Sequence, residues 1–146
     1  MKVLIVGAGK AGAFNKTTRL NGQIIYRNHL DVLLTLKTTE INIVDNSSSV
    51  LRKLKRKIKS NNINYFKNLN DVISNVNLAI IATPPKSRIK VLEKIHKLGC
   101  KTVIIEKPLA LKIEEALAIV DFIEKNKMNL IINYPRRYDN LIKKYI

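Results

Sequence analysis

The chain has 146 residues, one domain of common size, and its 46% hydrophobic and 26% charged content excludes wholesale disorder. A single cysteine excludes an intrachain disulfide framework; no apolar run approaches the ~20 residues of a membrane-spanning helix, and the start MKVLIVGAG lacks a small-residue secretory cleavage site, so the expected compartment is the cytoplasm. A net charge of +16 keeps a nucleic acid or membrane surface in play as partner, yet the lysines run along the whole chain among many Asn and Ile, the background bias of an AT-rich genome rather than a binding patch.

Residues 2–6, KVLIV, read as a buried strand leading into GAGKAG, 7–12. Gly7, Gly9 and Gly12 fit G-x-G-x-x-G, whose spacing has a mechanism. The first glycine permits a tight turn, the second lets backbone approach a pyrophosphate, and the third lets helix and strand pack closely. Helix N-terminal N–H groups then face the phosphates. Gly7, Ala8, Gly9, Lys10, Ala11 and Gly12 are therefore candidate cofactor-binding residues. The first helix reads as RNHLDVLLTL, 27–36, which leaves AFNKTTRLNGQIIY, 13–26, as an insertion between the third glycine and that helix. It stands where pyrophosphate should meet the helix N-terminus, either as a flap over the cofactor or as a disruption of the site.

The second strand, INIVD at 41–45, ends in Asp45. A carboxylate there accepts hydrogen bonds from adenosine ribose hydroxyls and repels a 2′-phosphate, which favours NAD over NADP. Asn46 joins the same candidate set. Asp45 stands 33 residues after Gly12, against the ~20 expected. A carboxylate here can also cap the following helix, although Ser47 and Ser48 can do that themselves.

A Ser-capped basic helix, SSSVLRKLKRKIKS, places Val50, Leu51, Leu54 and Ile58 on one face. NYF at 64–66 is a short strand, and LNDVISN gives one or two helical turns. The fourth strand is NLAIIAT, 77–83. The helix after it carries Ile89, Leu92, Ile95 and Leu98 and stops at Gly99. Cys100 is then expected as a small buried residue rather than a nucleophile. The fifth strand, in VIIEKPLAL at 103–111, ends abruptly in Glu106, Lys107 and Pro108. A helix over 112–126 is expected to bury Ile113, Ala116, Leu117, Val120 and Ile123. MNLIIN, 128–133, is the sixth strand, and DNLIKKYI starts another helical stretch. This alternation predicts an α/β fold: a doubly wound, mostly parallel, six-stranded Rossmann sheet of order 3-2-1-4-5-6 with helices on both faces.

GAGKAG, IVD, IATPP, EKPLAL and NYPRRY, in that order, resemble the glucose-fructose oxidoreductase / inositol dehydrogenase / MocA family over residues 1 to about 140. EKPLA after a fifth strand is the most specific element. The resemblance implies an NAD(P)-binding domain over 1–140, with 141–146 starting the exit toward a substrate and oligomerisation domain absent from the chain. It implies that Ala82, Thr83 and Pro84 line the nicotinamide half of the pocket, where the bland reading is a Pro-Pro turn. It implies Glu106 at the cofactor and Lys107 as the catalytic lysine near the substrate hydroxyl, held by a cis Lys107–Pro108 bond; the bland reading is a solvated turn lysine. A desolvated lysine has a lowered pKa and can assist proton transfer in alcohol oxidation. Asn133 and Arg136 or Arg137 are implied contacts to nicotinamide or substrate. His29 matches a family histidine early in the first helix and carries no catalytic assignment, nor does His96.

The expected function is NAD-dependent hydride transfer at a sugar or polyol CH–OH group, weak or inactive without the second domain. A stand-alone dinucleotide-binding module working with a partner chain is the alternative. A basic nucleic-acid-binding protein is the third, resting on RKLKRKIK, 52–59, which lacks interleaved aromatics and turns Leu54 and Ile58 to the core. One Cys and two scattered His make no metal cluster. Apolar surface around NLIIN and LIKKYI is expected to be open to self-association.

Overall fold

The computed structural model describes residues 1–20, 22–36, 40–73, 75–86 and 88–138. β1 (Lys2–Val6) opens the chain and runs into the glycine loop. A π-helical turn, Lys10–Phe14, follows at once, then a hairpin of β2 (Thr18–Leu20) and β3 (Gln23–Ile25), then α1 (His29–Thr35). The remainder alternates: β4 (Glu40–Val44), α2 (Ser48–Lys57), β5 (Ile63–Phe66), a 3-10 turn at Leu69–Asp71, β6 (Leu78–Ile81), α3 (Arg88–Lys97), β7 (Thr102–Glu106), α4 (Ile113–Lys125) and β8 (Asn129–Asn133). A 3-10 turn, Pro135–Tyr138, follows the last strand.

The long strands form one sheet in the order β5-β4-β1-β6-β7-β8, with every pairing parallel. Numbered along the chain without the hairpin, this is the expected order 3-2-1-4-5-6. The reversal at β1 places the carboxyl ends of β1, β4, β6 and β7 around one crevice, where ligands bind in open α/β sheets.

The pleat of β1 divides the core. Leu4 and Val6 turn to one face and pack with Leu92 and Ile95 of α3 and Ile119 and Ile123 of α4. Val3 and Ile5 turn to the other and pack with Leu30 and Leu33 of α1 and Leu51 and Leu54 of α2. Period-2 strands between period-3.6 helices generate this two-sided core. Side-chain caps set two helix starts: Asn28 Oδ1 accepts the Asp31 N–H at 2.8 Å, and Ser47 Oγ accepts the Val50 N–H at 3.4 Å.

Three expectations are corrected. The stretch 13–26 is not a plain insertion before the helix: helical turning begins at Lys10, and the added residues fold into an antiparallel hairpin with Thr18 opposite Ile25. The Asn-Gly pair at 21–22, between Thr and Ile pairs, is the sequence signal for such a turn. The buried face of α4 is also different. Ile119 and Ile123 are buried with Ala116 and Phe122 half-covered, whereas Ile113 (75% exposed), Leu117 (57%) and Val120 face out. IEEALAIVDFIEK offers two adjoining apolar stripes, and packing against the sheet and α3 selects the second. Finally, the fourth strand stops at Ile81, so Ala82 and Thr83 belong to the loop. The stretch DNLIKKYI lies outside the described residues.

Cys100 is fully buried as expected, and burial pushes its thiol up from the ordinary value, with backbone contacts at Thr102 and Ala79 opposing. Among the described residues no helix is long and apolar enough to cross a membrane.

Candidate cofactor and reaction site

The three glycines of the loop do three different jobs. Gly7 has φ of +92°, and a Cβ on it would stand 2.9 Å from Ala82 C and Thr83 N. Gly12 is tighter: its Cβ would stand 2.1 Å from Gly7 O. Both are therefore required by the packing of β1 against the β6 loop and of the π-helical turn against β1. Gly9 has an ordinary φ of −70°, and a Cβ on it would meet nothing within 4 Å. The protein itself does not need glycine there.

Gly9 borders a cavity of about 350 Å³ together with Asp45, Asn46, Ala82, Thr83 and Pro84. Asp45, one residue beyond β4, ties the loop to that strand. Its Oδ2 accepts the Ala8 N–H at 2.8 Å, and its Oδ1 accepts the Ser47 N–H at 2.9 Å. Both oxygens keep further lone pairs. Thr83 Oγ1 is a buried hydroxyl with no hydrogen-bond partner among the described residues, a group that a ligand could satisfy.

A second cavity, of about 510 Å³, has Ala11 of the loop in its wall. Glu106 and Lys107 border it from the end of β7, Asn133 from the end of β8, His29 from α1 and Arg27 from the segment before it. Glu106 Oε1 takes two contacts, His29 Nε2 at 2.7 Å and the side-chain Nδ2 of Asn133, which donates at 2.6 Å. Glu106 and His29 lie 77 residues apart in sequence. The Lys107–Pro108 peptide is cis. Lys107 itself is exposed, so the desolvation expected of it is not supplied by the described residues: the cavity is open above the lysine.

The candidate residues thus divide between two spaces. Gly7, Gly9, Asp45, Asn46, Ala82, Thr83 and Pro84 border the first; Ala11, Glu106, Lys107 and Asn133 border the second. Ala8 is buried with its N–H on Asp45, Lys10 is exposed at the start of the π-helical turn, and Gly12 is packed beneath the loop. Arg136 falls in the Pro135–Tyr138 turn, with its side chain outside the described residues. Among the described residues no group of three His, Cys, Asp or Glu is placed to hold a metal.

Sequence reasoning missed Arg88. It is only 2% exposed and bridges the two loops that frame the crevice. Its Nη2 donates to Thr83 O at 2.9 Å, and its Nη1 donates to Leu109 O at 3.0 Å and to Pro108 O. Burial pulls the guanidinium down from its ordinary value, and Glu106 pushes it back up; arginine stays charged under both influences. A lone Arg at a helix start carries no signal of this in sequence. The role of His29 was missed too, because its partner is remote.

The chain matches the family model described as the oxidoreductase family, NAD-binding Rossmann fold, over residues 1–134. No curated protein sequence matches it. Among solved structures it is similar to a Gfo/Idh/MocA family oxidoreductase from Vibrio cholerae, at 19% identity and a TM-score of 0.76, covering 99% of this chain and 42% of that one. An oxidoreductase from Agrobacterium radiobacter, in complex with NAD+, L-tartaric acid and magnesium, matches at 18% identity and a TM-score of 0.75, covering 98% and 38%. Scyllo-inositol dehydrogenase from Lactobacillus casei matches at 18% identity and a TM-score of 0.66, covering 99% and 39%. The chain therefore spans about two fifths of the length of these structures. The family match, together with the parallel sheet, the glycine loop and the carboxylate at the end of β4, establishes that the chain belongs to the Gfo/Idh/MocA oxidoreductase family, as its NAD-binding Rossmann domain.

Proposed function

We propose that the chain holds NAD across the carboxyl ends of β1, β4, β6 and β7 and presents it to a sugar or polyol CH–OH group. The observation that carries this reading is Gly9: packing fixes Gly7 and Gly12 as glycine, whereas no described packing requires glycine at 9, and a ligand approaching the backbone accounts for it. The Thr83 hydroxyl, without a partner among the described residues, supports it from the same cavity. Asp45, beside Asn46, takes the adenosine ribose hydroxyls. The N–H groups of the loop from Gly9 to Ala11 receive the pyrophosphate, the Ala8 N–H being held by Asp45. Ala82, Thr83, Pro84, Glu106, Lys107, Asn133 and Arg136 surround the nicotinamide.

NAD, when bound, supplies the hydride acceptor. Lys107 is the residue assigned to the substrate hydroxyl, where Nζ exchanges the proton of the alcohol oxygen. Glu106, fixed by His29 and Asn133, keeps that end of the crevice in place. General acid–base work by a lysine needs water excluded, and Lys107 is exposed here. We therefore assign residues 1–140 to the cofactor domain and 141–146 to the exit toward a substrate domain, which completes the site from the same polypeptide or from a partner chain. The domain alone turns over weakly or not at all.

Cofactor choice tests the reading. Wild type is expected to bind NADH at least tenfold more tightly than NADPH, measured by fluorescence titration. Asp45→Ala is expected to weaken NADH and to narrow that preference below threefold. Equal binding of the two cofactors by wild type would remove Asp45 from the ribose.

The outward stripe of α4 and, on the opposite face of the sheet, Ile131 on β8, 43% exposed, are two separate apolar surfaces that the substrate domain or a second copy covers. Concentration-dependent mass growth in light scattering is expected, reduced in Leu117→Ser; a monodisperse monomer at high concentration would count against it. The basic helix α2 is explained without nucleic acid: Leu51 and Leu54 are buried, and Lys53 and Lys55 lie 5.2 Å and 5.4 Å over the Phe14 and Tyr65 rings.

A further inference from the structure

The inserted hairpin does more than lengthen the chain: its return end forms a wall of the second cavity. Tyr26 and Arg27 come directly from β3 and face the same space as Lys107 and Glu106. The base of the hairpin is clamped. Asn28, buried, donates from Nδ2 to Asn15 O at 2.8 Å across the two ends of the insertion, and its Oδ1 caps α1 through the Asp31 N–H. Thr17 adds a hydroxyl bond to Asp31 Oδ2 at 2.6 Å. Arg27 thus leaves a fixed stretch of backbone rather than a free loop.

The charges in this cavity do not balance. Arg27 and Lys107 both border it, and neither has a hydrogen bond or ion pair to another described residue. The one carboxylate in the wall, Glu106, is engaged on one oxygen by His29 and Asn133. The anionic part of a dinucleotide belongs at Gly9 and the first cavity, whose wall does not include Arg27. The nicotinamide end brings no negative charge to answer Arg27, and the oxidised ring is itself cationic.

We propose that Arg27 of the inserted hairpin recognises an acidic substituent of the substrate, so that the preferred substrate is a sugar or polyol carrying a carboxylate or phosphate. This rests on the dinucleotide reading of the site. A guanidinium binds such an oxyanion through two parallel N–H donors, Tyr26 offers an aromatic face beside it, and Lys107 stands at the hydroxyl to be oxidised. Arg27 is a specificity-determining residue in this account and takes no part in hydride or proton transfer.

The test is a titration of the full chain, saturated with NADH, with D-glucuronate, D-glucose 6-phosphate and D-glucose, followed by cofactor fluorescence. At least one of the two anions is expected to bind at least fivefold more tightly than glucose. Arg27→Ala is expected to erase that difference while leaving the NADH dissociation constant within twofold, and Arg27→Lys to restore it in part. Glucuronate and glucose 6-phosphate separate a carboxylate from a phosphate preference. Equal binding of all three sugars overturns the proposal and leaves the dinucleotide reading standing. So does a tenfold loss of NADH affinity in Arg27→Ala, which assigns the guanidinium to the cofactor. Failure of wild type to bind NADH overturns both.

Discussion

Gly12→Ala is expected to lower the melting temperature by roughly 10 °C or more, its added Cβ making the shortest contact of any of the glycines. The added Cβ would stand 2.1 Å from Gly7 O and 3.1 Å from Gly7 C. These are backbone atoms with little freedom: Gly7 N–H is bonded to Val44 O at 2.9 Å, and Gly7 sits against Ala82 and Thr83. Relief requires the π-helical turn to move off β1, which opens the packing of buried Ala13 on the α1–α2 face of the core. Overpacking against side chains costs about 1–3 kcal/mol; against backbone the cost is expected at or above the top of that range. Gly9→Ala is the matched control, because its Cβ meets nothing within 4 Å, and it should melt within about 2 °C of wild type. Thermal unfolding followed by circular dichroism checks both. Equal melting of the two variants would contradict the assignment of separate roles to the glycines.

Arg88→Leu is expected to destabilise the domain by about 3 kcal/mol and to weaken NADH binding about tenfold. The guanidinium holds Thr83 O, Pro108 O and Leu109 O. An unpaired buried acceptor costs about 1–3 kcal/mol, and relief from burying the cation offsets part of the total. The binding loss follows from position. Thr83 borders the first cavity and Lys107, next to Pro108, borders the second, so the two loops lose their common support. Arg88→Lys should rescue little, since a single ammonium cannot reproduce the fork that reaches three carbonyls. Urea unfolding gives the stability and fluorescence titration gives the affinity. Normal affinity in a destabilised Arg88→Leu domain would confine Arg88 to folding.

The sheet was legible in the sequence because its strands are short apolar runs separated by helices of their own period. Asp45 was legible in spite of its displacement. The hairpin accounts for the extra residues between Gly12 and β4 without altering the pairing of β1 with β4, so the carboxylate still meets the Ala8 N–H. The face of α4 was not legible, since its sequence is apolar in two adjoining directions and only the sheet decides between them. Arg88 and the His29–Glu106–Asn133 contact were not legible for a different reason. Each joins positions remote in sequence, and a polar residue gives no sign of a buried remote partner. Lys107 was named by resemblance alone, and its exposure among the described residues had no sign in the sequence.

The most direct test of the account is an NADH titration of wild type and Gly9→Val, with circular dichroism melts of both. Wild type is predicted to bind NADH saturably. Gly9→Val is predicted to melt within a few degrees of it and to bind at least twentyfold more weakly, because the side chain fills space kept for the ligand and its Cβ meets no described protein atom within 4 Å. Unchanged NADH affinity in a folded Gly9→Val protein would contradict the account, since the open space at Gly9 would then not be where the dinucleotide lies.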